Sequence, residues 1–475
     1  MSVSDTSEKT SWRDEITRYQ WLVLLVTTLG WGLDGFDGVL YALVIGPAME
    51  DLLVNPDPSQ VAVYGGLAMT LYLLGWALGA IFFGVLADYF GRVRVLSVSI
   101  LIYSVFTASA AFVTDYWQLA VVRFIAGLGS GVELPIGAAL IAETWNNRHR
   151  SKATGIMMSG FAGGFFLASM AYWLVGGYGW RATFLLAILP AATVWIIRRH
   201  VHEPETSAEV RRRREARKTA ILAGAAKTTE DRFVLSQLLR PPLLKRTVPA
   251  MLICIGGLFA FWAVTTWTPQ VIRNVMGERG ITGDAVVPYV ASSSAALNLG
   301  AILGYASWGF IADRIGRKRA MIMSIVAVGV GVGLVYPSSH EYTTYLLLLP
   351  IVGIGMAGIF SGTAVYFPEL FPTGVRASAM ALTNSTGRTL TAAGPLVAGS
   401  IAVAWFGGDL GMAVTAISSL VVLALLGLLF LPETHGAFIY EEPQSMVAAA
   451  EPALGSGLAV DVGLPLGENP PIDQP

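Results

Sequence analysis

Long apolar runs recur along most of the chain and are separated by shorter polar segments. A helix needs about 20 apolar residues to cross the hydrocarbon layer of a bilayer. On that measure the pattern predicts about twelve spans. They cover residues 21–47, 62–86, 93–113, 117–142, 153–175, 182–199, 248–272, 287–311, 320–337, 342–366, 378–404 and 409–431. The runs lack the alternation of barrel strands, so the sequence predicts an all-α membrane protein with twelve transmembrane helices.

Polar segments divide the chain into five predicted parts. These are a tail over residues 1–20, six-helix halves over 21–200 and 247–432, a charged central loop over 201–246, and a second tail over 433–475. The first tail shows no signal-peptide pattern. We expect the central loop, with Arg211–Arg214, to be a solvated linker at the lipid surface, and the second tail to be disordered.

Lysine and arginine are concentrated in alternate loops, beginning with Lys9, Arg13 and Arg18 in the N-terminal tail. Cytoplasmic loops of membrane proteins carry this excess of positive charge. The pattern therefore places both termini and the central loop in the cytoplasm. It predicts a multi-pass protein of the plasma membrane.

One motif occurs twice at a constant offset, which predicts two halves related by pseudo-symmetry. The matched positions are Gly75, Gly79, Asp88 and Arg92 in the first half and Gly300, Gly304, Asp313 and Arg317 in the second. A second repeated pair, with nearly the same offset, is Glu143 with Arg150 and Glu369 with Arg376. Since all these charges lie at predicted cytoplasmic helix ends, we expect them to form a network that closes and opens the cytoplasmic side.

The duplicated motif, the twelve spans and the long central loop resemble the major facilitator superfamily over about residues 20–436. Arg123–Gly131 resembles the fourth-helix motif of its proton-coupled members. Pro368–Arg376 and Leu431–Gly436 resemble motifs of the sugar-porter and metabolite-symporter branch. The segment Asp34–Asp37 is similar to the first-helix signature of the aromatic acid:proton and sialate:proton symporters.

The seventh span departs from the sugar porters. Their Gln-Gln-x-Ser-Gly pattern is absent, and this chain has Trp262–Pro269 instead. The departure favours an organic acid over a hexose as substrate.

Three charged residues are predicted at one depth in the membrane. At 1.5 Å per residue, Asp34 and Asp37 lie about 20 and 24 Å from the cytoplasmic side, and Arg123 lies about 9 Å from the outside. A charge at membrane depth costs about 3 kcal/mol on insertion scales, so a functional reason is expected. We predict that the two aspartates handle the coupled proton, with Arg123 as partner. The alternative is a static ion pair that positions helices.

Glu133, further along the fourth span, is predicted either as a proton relay or as an interhelix partner. The resembling metabolite symporters place an acid similarly.

Arg388 lies about 16 Å from the cytoplasmic side, near the midplane where transporter substrates bind. A guanidinium there can hold a carboxylate through two hydrogen bonds. We predict a substrate site from Arg388, Asn384, Asn298, Trp267 and Tyr72, with a structural salt bridge as the alternative for Arg388. Other aromatic residues at similar depth include Tyr41, Trp76, Phe161, Phe165 and Trp262.

Composition narrows the function further. Charged residues are 13% of the chain and the net charge is −1, which does not favour nucleic acid binding. The single Cys254 excludes an intrachain disulfide and a cysteine-based metal site. The chain has no His-Glu-x-x-His and no Gly-x-Ser-x-Gly, so we predict no enzyme, metal or cofactor.

The sequence predicts proton-coupled uptake of a small organic anion, such as an aromatic acid, by alternating access. One alternative is a proton-coupled efflux antiporter of metabolites or drugs, although no Gly-Pro occurs within 153–175. The other is a sugar:proton symporter. The expected partners are the substrate, protons and the lipid bilayer, and we expect a monomer.

Overall fold

The computed structural model describes residues 16–145, 147–192, 238–241, 243–337, 341–371 and 373–434, apart from a few side chains within its helices. The described residues form helices and no strands. Within the described ranges, eleven helical segments are long and apolar enough to cross a membrane, and a shorter apolar segment covers Trp180–Ala192. The predicted all-α membrane fold is confirmed. The predicted sixth span is described only as far as residue 192, and the cytoplasmic location of the termini stays a prediction.

Two long helices of the first half begin at capping boxes. The helices of that half are α1 (Arg18–Leu52), α2 (Pro58–Phe90), α3 (Arg92–Ser109), α4 (Tyr116–Ser130), α5 (Glu133–Thr144), α6 (Asn147–Val175) and α7 (Trp180–Leu185). Thr17 with Gln20 and Asp57 with Gln60 form capping boxes at the starts of α1 and α2. In each box two side chains satisfy backbone N–H groups that the first helical turn leaves without partners.

The second half is also helical, but its helices are divided at other positions. They are α8 (Leu244–Glu278), α9 (Val287–Ile315), α10 (Arg317–Val335), α11 (Tyr342–Leu370), α12 (Thr373–Thr391), α13 (Gly394–Phe406), α14 (Leu410–Ser418) and α15 (Val422–Leu429). The predicted central loop is described only at 238–241 and from 243, and the predicted second tail only to residue 434. The predicted domain boundaries therefore stay predictions.

The fourth and eleventh predicted spans are each divided into two helices. The sequence predicts single continuous helices there, but α4 ends at Ser130 before α5 begins at Glu133, and α12 ends before Pro395 in the first turn of α13. Glycine has a low helix propensity, and proline lacks the backbone N–H group that the helix interior requires. The first break has a consequence for function, because it places Glu133 at the start of a helix in the core.

The repeated glycines make the same interface in both halves. On α2, Gly75 and Gly79 contact the α4 backbone, and a methyl group at either position would overlap it. On α9, Gly300 and Gly304 meet the α11 backbone in the same way. Small residues of this spacing let membrane helices approach closely.

The turns after the repeated aspartates also match. Gly91 has φ 100° and Gly316 has φ 98°, a left-handed region in which side chains are strained. The sequence repeat is therefore a structural repeat.

The two predicted halves meet where α1 packs against α8, α2 against α12 and α13, and α6 against α9. One close approach is at Gly66, where a methyl group would lie 2.6 Å from the Pro395 carbonyl oxygen. These contacts bring polar residues of both halves to one central region.

Candidate functional site

Asp37 on α1 and Arg123 on α4 face one another in the core. Their carboxylate and guanidinium atoms Oδ2 and Nη1 are 4.0 Å apart, and both side chains are fully buried. The guanidinium lies over the ring of Tyr72 at 4.1 Å and over that of Tyr41 at 5.0 Å. Neither charged group makes a hydrogen bond of normal geometry to a described residue. The pair predicted from depth is present, at a separation longer than a hydrogen bond.

Asp34 lies one helical turn from Asp37 and is 2% exposed. It is beside the Ser130 hydroxyl and the Trp76 indole, and it interacts electrostatically with Asp37 and Arg388. Neither of its oxygens has a well-formed hydrogen bond within the described part of the chain. Asp34 is therefore a charged neighbour of both predicted functional regions.

Glu133 completes a group of three buried carboxylates. It is the first residue of α5 and is 3% exposed. Its Oε2 packs against Gly30 on α1, where an added methyl group would lie only 2.8 Å away. It also interacts electrostatically with Asp34. The gap between α4 and α5 thus brings a third acid beside the first-helix aspartates.

Arg388 on α12 connects this group with the second half. Its guanidinium carbon lies 4.3 Å from the centre of the Trp76 ring on α2. It also interacts electrostatically with Asp34. The sequence placed the two aspartates beside a separate site around Arg388, whereas the structure joins them. We call Asp34, Asp37, Glu133, Arg123 and Arg388 the charge cluster.

Aromatic rings continue from Trp76, the ring beside Arg388, and extend between the halves. Trp31 stacks on Phe161 at 4.5 Å and on Trp76 at 6.3 Å. Trp76 meets Trp262 edge-on at 6.0 Å, and Phe161 lies 6.3 Å from Phe261. The aromatic cluster comprises Trp31, Trp76, Phe161, Phe165, Phe261, Trp262 and Phe360.

Sequence reasoning missed three members of this cluster. They are Trp31, Phe261 and Phe360. Trp31 carried a usable signal, because it precedes Asp34 by three residues and so shares its helix face.

The other predicted substrate residues donate hydrogen bonds to groups within the protein. Asn298 donates to the Ser294 carbonyl at 2.7 Å, and Asn384 donates to the Met380 carbonyl at 2.9 Å. Trp267 is fully buried and donates its indole N–H to the Pro395 carbonyl at 3.2 Å. Tyr72 donates to Ser130 at 3.1 Å beneath the Arg123 guanidinium. Roles for these residues in binding stay predictions.

In the second half, three of the predicted gate residues contact one another, and their role as a gate stays a prediction. Arg317 donates to Asp313 at 2.6 Å and lies 3.5 Å from a Glu369 oxygen. The side chains of Asp88, Glu143 and Arg150 in the first half lie outside the described part of the structure. The side chain of Arg376 in the second half also lies outside it. Arg92 is the first residue of α3.

Glu433 contacts the predicted gate residue Arg317, a contact that the sequence did not predict. Its carboxylate accepts the backbone N–H groups of Arg317 at 2.9 Å and Lys318 at 3.1 Å. An acid at this position is favourable because the first turn of a helix has free N–H groups and a partial positive charge. The neighbouring Thr434 donates its hydroxyl to Glu369. Glu433 belongs to the segment Leu431–Gly436, which stands out in the sequence as a motif. The sequence predicted no contact for that segment.

The described residues contain no group of three or more histidine, cysteine, aspartate or glutamate side chains arranged to hold a metal ion. The core polar groups are instead carboxylates, guanidinium groups and hydroxyls. This set can bind and exchange protons and can hold an anion.

Comparison with known families agrees with this picture. The family model of the Major Facilitator Superfamily matches residues 21–305 and 287–456. The chain belongs to this superfamily. It is a multi-pass membrane transporter and not an enzyme.

A putative metabolite transport protein from Haemophilus influenzae is 30% identical over 427 residues, which cover 89% of this chain and 98% of that protein. The 4-hydroxybenzoate transporter PcaK from Acinetobacter baylyi is 27% identical over 83% of this chain and 86% of its own length. The inward-open xylose transporter XylE from E. coli has a similar fold, with a TM-score of 0.68 and 18% identity over 90% of this chain and 99% of its own.

Proposed function

We propose that this protein is a proton-coupled symporter that takes up a small organic anion, with an aromatic carboxylate as its substrate. The observation that carries the proposal is the charge cluster, in which three buried acids and two arginines lie against aromatic rings contributed by both halves. Alternating access moves one half against the other around such a central site.

The acids are suited to proton coupling because they are buried with few partners. Asp34 and Asp37 have no oxygen in a well-formed hydrogen bond to a described residue. Burying a charged group without hydrogen bonds is costly, and protonation removes that cost. At Asp37 the positive charge of Arg123 favours the charged carboxylate and so opposes protonation. A change at a residue beside this pair can therefore change whether Asp37 holds a proton.

Arg388 is suited to substrate binding because its guanidinium lies between a ring and an acid. A substrate carboxylate can form two parallel hydrogen bonds to a guanidinium. When it does so, it competes with Asp34 for Arg388, and Asp34 is then favoured in its protonated form. Substrate binding and proton binding are thereby coupled at two adjacent side chains.

The aromatic cluster favours a substrate with a flat ring. Stacked and edge-on aromatic pairs contribute about 0.5–1.5 kcal/mol beyond burial of their area. The relative named as a 4-hydroxybenzoate transporter supports an aromatic acid. Among the remaining predicted residues, Asn384, Asn298, Trp267 and Tyr72 complete the proposed binding region.

The proposed gate consists of the acid and arginine pairs at the cytoplasmic ends of both halves. Contacts among Asp313, Arg317 and Glu369 support it in the second half. We propose the same role for Asp88, Arg92, Glu143, Arg150 and Arg376.

The test is uptake by the purified protein in liposomes with an imposed pH gradient, alkaline inside. The compounds are 4-hydroxybenzoate, benzoate, sialic acid, lactate and xylose. We expect an aromatic acid to accumulate above its external concentration and to be released when an ionophore collapses the gradient. Accumulation of xylose alone would contradict the anion assignment. Uptake that needs the opposite gradient would favour the efflux antiporter.

A further inference from the structure

The third helix carries buried hydroxyls that neither its packing nor the proposed substrate site uses. Tyr103, Ser104 and Thr107 on α3 are each fully buried. None of their hydroxyls makes a hydrogen bond of normal geometry to a described residue. Leaving a buried polar group without a partner is costly, and internal water often satisfies such groups in proteins.

These hydroxyls lie along the space between two members of the charge cluster. Thr107 is beside Asp37, and Tyr103 interacts electrostatically with Glu133. The four-residue step from Tyr103 to Thr107 is about 6 Å along the helix axis. Residues at positions 103, 104 and 107 share one helix face.

Asp37 and Glu133 are too far apart for a proton to pass directly between them. Glu133 packs at Gly30, and Asp37 follows Gly30 by seven residues, which corresponds to about 10 Å along α1. A proton passes between groups in hydrogen-bond contact, at about 2.5–3.2 Å. Intermediate donors and acceptors are therefore required, and Asp34 is the other side chain between these acids.

We propose that the hydroxyls of Tyr103, Ser104 and Thr107, with internal water, form a proton path between Asp37 and Glu133. The inference rests on the proposed proton coupling. One proton leaves Asp37, each hydroxyl or water accepts a proton on its oxygen and passes on its own, and one proton arrives at Glu133. Asp37 becomes charged, Glu133 becomes neutral, and every intermediate group keeps its original number of hydrogens. Asp34 is then left to respond to Arg388 and the substrate.

In the predicted orientation, the path leads from Asp37 toward the cytoplasm. Helix α1 runs outward in this orientation, so Glu133 beside Gly30 is nearer the cytoplasm than Asp37. A proton bound at Asp37 with the substrate is released toward the cytoplasm through Glu133. Arg123 and Tyr72 face the outer end of this path, and Asp34 lies on its substrate side.

The test separates net proton transport from substrate exchange. Tyr103→Phe, Ser104→Ala and Thr107→Val each remove one hydroxyl with little change of shape. Ser97→Ala is the matched control, because Ser97 is fully buried on the same helix but donates to the Val93 carbonyl at 2.8 Å. Each protein is placed in liposomes containing a pH-sensitive dye. 4-Hydroxybenzoate uptake is measured under a pH gradient and, without a gradient, as exchange for internal 4-hydroxybenzoate.

We expect Tyr103→Phe and Thr107→Val to lower gradient-driven uptake and dye-detected proton entry about tenfold or more, which corresponds to about 1.4 kcal/mol in the barrier. Exchange should stay within about twofold of the wild type, and Thr107→Ser should restore gradient-driven uptake. Ser97→Ala should behave as the wild type in both assays.

Wild-type gradient-driven uptake in Tyr103→Phe, Ser104→Ala and Thr107→Val would overturn the path and favour a route through Asp34. Equal loss of exchange and gradient-driven uptake would show a structural role instead. If the wild-type protein exchanges 4-hydroxybenzoate but shows no proton entry, the proposed coupling itself fails, and this result is recognisable before any variant is compared.

Discussion

The guanidinium of Arg388 lies over the ring of Trp76, with 4.3 Å between its central carbon and the ring centre. The two residues come from different halves, since Arg388 is on α12 and Trp76 is on α2. A motion of one half against the other therefore changes this contact. Because Trp76 also adjoins Asp34, the contact connects the proposed anion site with the proposed proton site.

Arg388→Lys tests whether the guanidinium binds the substrate carboxylate. Lysine keeps the positive charge but loses the planar pair of donors and the stacking on Trp76. We expect the KM for 4-hydroxybenzoate to rise about 10- to 100-fold, equivalent to about 1.4–2.8 kcal/mol, in liposome uptake. Arg319→Lys, an exposed arginine on α10, is the control and should keep the wild-type KM. An unchanged KM in Arg388→Lys would indicate a purely structural arginine.

Asp37→Asn tests proton handling by the first-helix acids. Asparagine cannot release a proton and leaves Arg123 without its nearest negative charge. We expect accumulation under a pH gradient to disappear while exchange of labelled for unlabelled substrate continues. Asp115→Asn is the matched control, because Asp115 caps α4 at the surface and asparagine caps a helix equally well. Uphill uptake by Asp37→Asn at the wild-type level is the result that would remove Asp37 from the mechanism.

The sequence predicted those features that depend on position along a helix. Depth along α1 and α4 was sufficient to pair Asp37 with Arg123. The repeated glycines predicted a pseudo-symmetric repeat, and the structure shows it as matching α2–α4 and α9–α11 contacts. The proximity of Asp34 and Arg388 depends instead on how the helices are rotated and which ones are neighbours. Depth alone does not contain that information, so the two regions were predicted as separate.

Contacts between distant parts of the chain were also missed. Glu433 reaches the start of α10 more than a hundred residues earlier, and no local pattern links the two. The start of α5 at Glu133 depends on a helix break that hydropathy does not show, since the surrounding residues are all apolar or small. Both features follow from three-dimensional packing.

Phe261→Leu tests whether the aromatic cluster selects for a ring. Phe261 lies between Phe161, Phe165, Trp262 and Phe360, and leucine keeps the apolar volume but removes the π face. We expect the ratio of kcat/KM for 4-hydroxybenzoate over lactate to fall about fivefold, or about 1 kcal/mol. Uptake of the two acids is compared in the same liposomes.

The control for ring selection is Trp405→Leu, because Trp405 is 76% exposed and lies away from the aromatic cluster. It should leave the ratio unchanged. An equal fall for 4-hydroxybenzoate and lactate in Phe261→Leu would mean that the residue supports packing and does not discriminate.

Glu433→Gln tests the helix-start contact at the proposed gate. Glutamine keeps the size of the side chain but loses the charge that interacts with the N–H groups of Arg317 and Lys318. Since Glu433 is exposed, we expect a modest loss, about 0.5–1 kcal/mol, in the free energy of unfolding. The measurement is thermal unfolding of the detergent-purified protein at low and high salt. The difference in unfolding temperature between variant and wild type should shrink at high salt, because screening weakens the interaction. Glu50→Gln, another exposed glutamate, should leave the unfolding temperature unchanged. A Glu433→Gln unfolding temperature equal to that of the wild type at low salt would show that the carboxylate does not stabilise the start of α10.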